Sequence, residues 1–321
     1  MFNNKVVLIT GGTGSFGQEC TKYLLKNYSL KKIIIFSRDE LKQYEMQKKF
    51  KSGILRFFIG DIRDKSRLNS ALREVDFVIH AAALKHVPAA EYNPIECVRT
   101  NIMGAENLIN ASIECNVKRV LALSTDKATN PVNLYGATKL CAEKLFVAAN
   151  NMAGKSKTRF SVVRYGNVIN SRGSVIPFFK NLVKENQVLP VTDKEMTRFF
   201  ISLENSVKFV IRCMKSMNKG EIFIPKLPSV KIVDLAKSLG KNVKIKIIGM
   251  RPGEKLHELL SSSEESRHMS EFKDFYQINP IIFNGNKKNF KGKKVKLGFS
   301  YSSNRNKEFL NQNKIKKLLK S

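Results

Sequence analysis

The chain has 321 residues, 42% hydrophobic and 26% charged, long enough for one domain of about 165 residues and a second, smaller one. No apolar stretch of about 18 residues and no signal-peptide pattern occurs, so a soluble, unprocessed cytoplasmic protein with no membrane partner is expected. Five scattered cysteines (20, 97, 115, 141 and 213), odd in number and without paired spacing, exclude a disulfide framework and fit free thiols in a reducing compartment.

Residues 5–10 (Lys-Val-Val-Leu-Ile-Thr) form a nearly continuous apolar run of the kind found in buried parallel strands. The next seven, Gly11-Gly12-Thr13-Gly14-Ser15-Phe16-Gly17, lead into a helical pattern through Cys20, Leu24 and Leu25. Glycines at 11, 14 and 17 permit a tight strand-to-helix turn and close approach of a pyrophosphate. Such a phosphate would rest on the N–H groups that open the helix, around Thr13, Ser15 and Phe16. The second run, 33–36, ends at Ser37-Arg38-Asp39, about 20 residues past the loop. An acid at this strand end serves the ribose 2′-hydroxyl of NAD, and an arginine accommodates the 2′-phosphate of NADP. Arg38, with Ser37 beside it and Lys42 a turn on, favours NADP. Asp39 is either a ribose partner or the N-cap of the next helix.

The alternation repeats. Residues 55–59 predict a third strand, ending at Gly60-Asp61-Ile62, where the acid can meet the adenine amine. Residues 77–81 predict a fourth, running into Ala81-Ala82-Ala83, small enough for a dinucleotide to lie against the backbone. Residues 120–123 and 160–164 predict the fifth and sixth, with helical segments between, among them 94–114 and 134–149. Six strands alternating with helices predict an α/β fold, a doubly wound parallel sheet of Rossmann type. Its ligands bind beyond the strand carboxyl ends.

At the end of the fifth strand stands Ser124-Thr125-Asp126-Lys127, followed by Tyr135-Gly136-Ala137-Thr138-Lys139. Tyr135 and Lys139, at i and i+4, share one helix face. A lysine so placed favours the phenolate and is expected to lower the phenol pKa, making Tyr135 a base near neutral pH. Asp126 and Lys127 read either as a surface ion pair or as an acid and a base. The second reading requires burial to displace both pKa values toward neutrality. Four scattered histidines give no metal constellation.

Several segments together resemble the extended short-chain dehydrogenase/reductase superfamily, and more closely the inverting UDP-N-acetylglucosamine 4,6-dehydratases of pseudaminic acid synthesis. They are 9–17, 36–42, 81–88, 91–94, 100–104, 123–128, 163–167 and 250–258. Dehydratases of dTDP-glucose resemble Thr-Asp-Glu where this chain has Thr125-Asp126-Lys127, and in the resembling family that lysine goes with inversion at C5. The resemblance implies a lyase using NADP without net redox change. Tyr135, assisted by Lys139, takes the C4 hydroxyl proton, and Thr125 bonds the C4 oxygen. Lys127 removes the C5 proton and Asp126 protonates the departing C6 hydroxyl. It further implies that Lys85 and Arg251 meet the diphosphate of UDP-N-acetylglucosamine, Asn167 its acetamido group or a phosphate, and Thr192 and Glu254 its uridine and ribose. His86 and His257 are expected to be structural. A homo-oligomer, dimer or hexamer, is implied through segments 94–114 and 134–149. A retaining dehydratase, a dehydratase/5-epimerase and a UDP-hexose 4-epimerase are the alternatives.

The expected division is an NADP-binding domain at 1–167 and a substrate-binding domain at 168–285, with a basic segment at 286–321. The chain is allowed to cross back between lobes, and helices are predicted at 177–184, 207–217 and 231–239. Fifty-seven basic residues against 27 acidic ones give a net charge of +30, which ordinarily points to nucleic acid. The lysines are spread over the whole chain, densest at 287–294, so a solvated surface that attracts anionic ligands is expected, with no nucleic-acid partner.

Overall fold

Each apolar run of the first half forms a strand because both of its faces are covered by helices. In the computed structural model, which describes residues 1–171, 173–240, 242–280 and 292–320, these are β1 (Val6–Thr10), β2 (Lys32–Ser37), β3 (Leu55–Ile59), β4 (Phe77–His80), β5 (Arg119–Thr125) and β6 (Arg159–Tyr165). They are parallel neighbours in the order 3-2-1-4-5-6. The order reverses between β1 and β4, which opens a crevice at their carboxyl ends.

The helices that cover the sheet are α1 (Ser15–Asn27), α2 (Glu40–Lys49), α3 (Lys65–Leu72), α4 (Val87–Tyr92), α5 (Pro94–Val98), α6 (Gly104–Glu114) and α7 (Leu134–Met152). Their starts are set by short polar side chains that take an orphan N–H. Asp39 accepts from Lys42 N at 2.9 Å, Asp64 from Arg67 N at 2.9 Å, and Asn133 from Gly136 N at 2.8 Å, contacts worth about 1 kcal/mol each.

Two elements differ from expectation. The fifth strand runs on to Thr125, so Ser124 and Thr125 belong to the sheet rather than to a following loop. The helix expected at 94–114 is interrupted by a π turn at Arg99–Met103, where the Gly104 N–H reaches back to the Arg99 carbonyl. The extra residue per turn rotates Asn101 inward. There its side chain bonds both Leu84 N and Leu84 O at 2.9 Å and Thr138 Oγ1 at 3.0 Å. Apolar periodicity persists across the interruption, so sequence shows one helix.

In the second half the chain returns to the first lobe. Helix Leu203–Ser216 packs on α1, and strand Ile222–Pro225 pairs in parallel with β6. Strands Phe275–Ile278, Met269–Glu271 and Lys293–Lys294 then extend the sheet to ten strands. A separate apolar cluster, including Ile176, Phe179, Leu189, Phe200, Leu235 and Ile315, underlies helices Val175–Lys184, Ile232–Lys237 and Gln312–Lys320. Of the basic run, 287–291 lie outside the described residues. Among the described residues no helix is long and apolar enough to cross a membrane.

Candidate active site

The crevice between β1 and β4 opens into a cleft of ≈ 660 Å³. Gly11, at φ +63°, brings the turn so close to the β4 end that a Cβ would stand 2.9 Å from Ala82 N and Cα. Thr13, Gly14, Ser15, Phe16 and Gly17 line the cleft at the start of α1, and Ala81 and Ala82 line it beyond β4. No side chain caps α1 at Gly14, so an anion fits its opening N–H groups. Ser37, Arg38, Asp39 and Lys42 line the far end with Asp61 and Ile62, and together these residues fit a dinucleotide. Asp39 is occupied within its own helix, accepting from the Lys42 N–H and the Lys42 ammonium. Arg38 stands half-exposed, 3.5 Å from Asp61. Burial works against the Asp61 charge, but hydrogen bonds from Arg63 outweigh it and hold the carboxyl below its ordinary value.

Beneath the Ala81–Ala82 backbone lies a support that sequence reasoning missed. The Thr10 hydroxyl accepts from Ala81 N at 3.2 Å and Ala82 N at 3.3 Å, so its one proton goes to His80 Nδ1 at 2.7 Å. Burial first, then the Lys139 charge, lowers His80 to about 3 and keeps the ring neutral. A histidine inside an apolar strand carries no signal for this in the sequence.

The acid/base group forms where α7 meets the end of β5. A Cβ on Gly136 would stand 2.2 Å from the Lys127 carbonyl oxygen, so only glycine lets the first turn of α7 rest on the Asp126–Ala128 turn. That contact sets Tyr135 beside Thr125 and Lys127. Thr125, Lys127, Tyr135 and Lys139 line the cleft, with Asp126 fully buried behind them. Asp126 Oδ1 accepts from Thr125 Oγ1 and Lys127 Nζ, each at 3.0 Å, while its Oδ2 has no partner. The Asp126–Lys127 pair is therefore not a surface ion pair.

Two electrostatic expectations are corrected. Lys139 Nζ donates to the Leu123 carbonyl at 2.6 Å and does not lower the phenol. Burial pushes Tyr135 up to about 12, against the opposite pulls of the Lys127 charge and a Thr125 hydrogen bond. Burial lowers Lys139 to about 8, with Glu143 opposing. Burial also disfavours the Lys127 charge, but Asp126 and Glu258 outweigh it and hold the ammonium above its ordinary value. Lys127 is thus a cation in the resting site rather than the neutral amine expected. Asp126 contributes most, and the second carboxylate is remote in sequence: Glu258 Oε1 lies 3.2 Å from Lys127 Nζ.

Of the expected substrate contacts, Lys85 and Asn167 line the cleft, and burial lowers the Lys85 pKa. Thr192, Arg251 and Glu254 lie outside its lining. Thr192 is buried with its hydroxyl on Met196 Sδ at 3.1 Å. Arg251 and Glu254 close a turn through Glu254 N to Arg251 O at 3.1 Å. That turn docks at the start of α7, where Asn133 Nδ2 donates to Gly253 O at 2.7 Å. His257 bridges to Thr197 Oγ1 at 2.8 Å. Among the described residues no group of His, Cys, Asp and Glu is arranged to hold a metal.

A second buried network ties the parts together. Arg164, on β6, is fully buried and gives Nε and Nη2 to Glu143 of α7 at 3.0 and 2.6 Å. Its Nη1 and Nη2 reach Glu265 at 3.0 Å, and Nη1 also meets Thr129 Oγ1 and the Leu260 carbonyl.

The 3-2-1-4-5-6 sheet, the glycine turn and the Tyr135–Lys139 helix define a protein of the extended short-chain dehydrogenase/reductase class. A family model described as polysaccharide biosynthesis protein matches residues 7–280, and the chain belongs to that family. It is 59% identical over 324 residues to the inverting UDP-N-acetylglucosamine 4,6-dehydratase of Campylobacter jejuni serotype O:23/36, covering 98% of this chain and 97% of the relative. It is 44% identical to a UDP-glucose 4-epimerase of Rickettsia bellii, over 99% of this chain and 96% of that one. The X-ray structure of Pen from Bacillus thuringiensis superposes with a TM-score of 0.91 at 40% identity, over 99% and 98% of the two chains.

Proposed function

We propose that the chain is an inverting dehydratase that converts UDP-N-acetylglucosamine into UDP-2-acetamido-2,6-dideoxy-β-L-arabino-hex-4-ulose, with NADP as resident cofactor. The observation that carries this reading is the buried Asp126–Lys127 pair held beside Tyr135 at the cleft. A 4-epimerase expels no hydroxyl and needs neither member of that pair.

Held against residues 11–17, Arg38, Ala81 and Ala82, an oxidised nicotinamide would supply a positive charge and a reversible hydride acceptor for C4 and C6. Tyr135 takes the C4 hydroxyl proton, and its high resting pKa falls as cationic charge gathers around it. Thr125 steadies the C4 oxygen, and Lys139 fixes α7 against the end of β5. The 4-ketone makes the C5 hydrogen acidic. Lys127 removes that proton, and Asp126 gives one to the leaving C6 hydroxyl, which departs as water. Two protons withdrawn, from the C4 hydroxyl and C5, match two returned, to the leaving hydroxyl and to the opposite face of C5.

NADP is favoured because Asp39 is used as a helix cap while Arg38 stands half-exposed at the ribose end. Lys85 and Arg251 are assigned to the diphosphate, Asn167 to the acetamido group, and Thr192 and Glu254 to the uridine ribose. Contact of Arg251 and Glu254 with the nucleotide requires the turn at 251–254 to fold over the cleft. A cytoplasmic homo-oligomer fits the exposed apolar side chains Tyr92, Ile95 and Met103 along α4, α5 and the π turn. An early step of pseudaminic acid-type sugar synthesis is the assigned place of the reaction.

Proton NMR of UDP-N-acetylglucosamine incubated with the protein in deuterated water tests the reading. The expected product is a 6-deoxy-4-keto sugar with deuterium at C5 in the L-arabino configuration. Retention at C5 points to the retaining branch. The likeness to the Rickettsia bellii protein favours epimerisation as a second reading, and a C4 epimer without any 6-deoxy signal would establish it.

A further inference from the structure

Lys127 is held by two carboxylates, and the mechanism uses one of them. Asp126 Oδ1 lies 3.0 Å from its Nζ, and Glu258 Oε1 lies 3.2 Å from the same nitrogen. Glu258 is 2% exposed and 131 residues from Lys127 in the chain. It lies behind Lys127 rather than in the lining of the cleft.

The position of Glu258 is set from several sides. Its N–H donates to Ser303 Oγ at 3.0 Å, and its carbonyl accepts from Ser303 N at 2.9 Å. Arg198 Nε stands 3.8 Å from Oε1, and Lys255 Nζ stands 4.0 Å from Oε2. Both cations are themselves tied down. Arg198 donates to the carbonyls of Thr197, Leu256 and Lys255 at 2.7, 3.0 and 2.8 Å, and Lys255 donates to the Thr129 carbonyl at 2.6 Å. Two fixed cations thus stand beside Glu258, whereas the other hydrogen-bond partner of Asp126 is the neutral hydroxyl of Thr125.

We propose that Glu258 is a positioning residue for Lys127, whose fixed carboxylate aims the Lys127 nitrogen at C5 and directs its proton to Asp126 rather than to Glu258 itself. The chemistry balances within the pair. One proton moves from the Lys127 ammonium to the Asp126 carboxylate, giving a neutral amine and a carboxylic acid. The amine then takes the C5 proton and the acid protonates the leaving hydroxyl, which restores ammonium and carboxylate. Asp126 Oδ2 and Glu258 Oε2 are both buried without a hydrogen-bond partner. The substrate thus meets a base and an acid made from one shared proton, with no exchange with solvent.

This inference rests on the dehydratase reading above, and the experiment separates the two. Glu258→Gln, Glu258→Asp and Lys127→Met are compared with the parent holoenzyme on UDP-N-acetylglucosamine, unlabelled and deuterated at C4 or at C5. Glu258→Gln is expected to lower kcat by about 10²-fold, the cost of a misplaced reacting group, with KM little changed. The C5 isotope effect on kcat should rise while the C4 effect does not, and cofactor content and melting temperature should stay near the parent values. Glu258→Asp, which keeps the charge, should recover part of the rate, and it carries the test if the glutamine variant fails to fold. A parent-like kcat in Glu258→Gln, or a lower one with unchanged C5 isotope effect, overturns the assignment. Near-parent turnover in Lys127→Met would instead remove the C5 base itself, and with it the reading on which Glu258 depends.

Discussion

The cofactor end and the acid/base end of the cleft are built in opposite ways. At the cofactor end one stretch of seven residues, 11–17, makes the phosphate turn, packed against the backbone of Ala82 and the side chain of Ile35. At the acid/base end, Asp126 and Lys127 come from the end of β5, Arg198 from a strand of the second lobe, and Lys255 and Glu258 from the 250–258 segment. Backbone amides bind phosphate with little dependence on what surrounds them. Side-chain acids and bases take their properties from neighbours, so the second site exists only when these three segments close on one another.

Substitutions can break or sharpen that contrast, and the largest effect is expected at the acid/base end. Tyr135→Phe keeps the ring and the packing of α7 but removes the proton acceptor. Turnover should fall by about 10²–10⁴-fold, and mixing with UDP-N-acetylglucosamine should give no reduced-cofactor absorbance. A variant retaining a tenth of the parent rate would take Tyr135 out of its assigned role. Arg164→Met acts on assembly rather than chemistry. It leaves Glu143 and Glu265 buried without their cation and should cost about 3–5 kcal/mol of stability. Urea unfolding of the holoenzyme measures this, and a loss below about 1 kcal/mol would show that the network is not holding the segments together.

The smallest effects belong to the cofactor end and come as a pair. Arg38→Ala should weaken NADP by about tenfold, the loss of one charge-assisted bond, and leave NAD affinity unchanged. Asp39→Ala should cost about 1 kcal/mol of stability without altering the ratio of NADP to NAD affinity. A shift of preference in the aspartate variant alone would make Asp39 the ribose partner and reverse the assignment.

What could be read from the chain follows the same division. The six parallel strands, the glycine turn and the Tyr135–Lys139 face were visible because each depends on residues within a few positions of one another. The partners of the reacting groups were not. Glu258 lies in a segment that resembles the family, yet nothing in its spacing points to Lys127, and it joins Asp126 in holding that lysine as a cation. His80 reads as one polar interruption of an apolar strand, although it settles which way the Thr10 hydroxyl points. The π turn is hidden for a related reason. An extra residue in one helical turn leaves the apolar pattern readable on both sides, and only the inward Asn101 reveals it.

Arg164 has a consequence for anyone who would recombine this scaffold. Its guanidinium joins α7, which carries Tyr135, to the stretch around Leu260 and Glu265, which follows directly after Glu258. The two halves of the cleft are therefore not interchangeable modules. A chimera that took residues 250–303 from a relative while keeping this nucleotide lobe would have to bring a carboxylate at 265, or it would leave the buried Arg164 guanidinium with Glu143 as its one ionic partner. Compatibility at this crossing limits which grafts can fold and therefore which new sugar specificities can be tried.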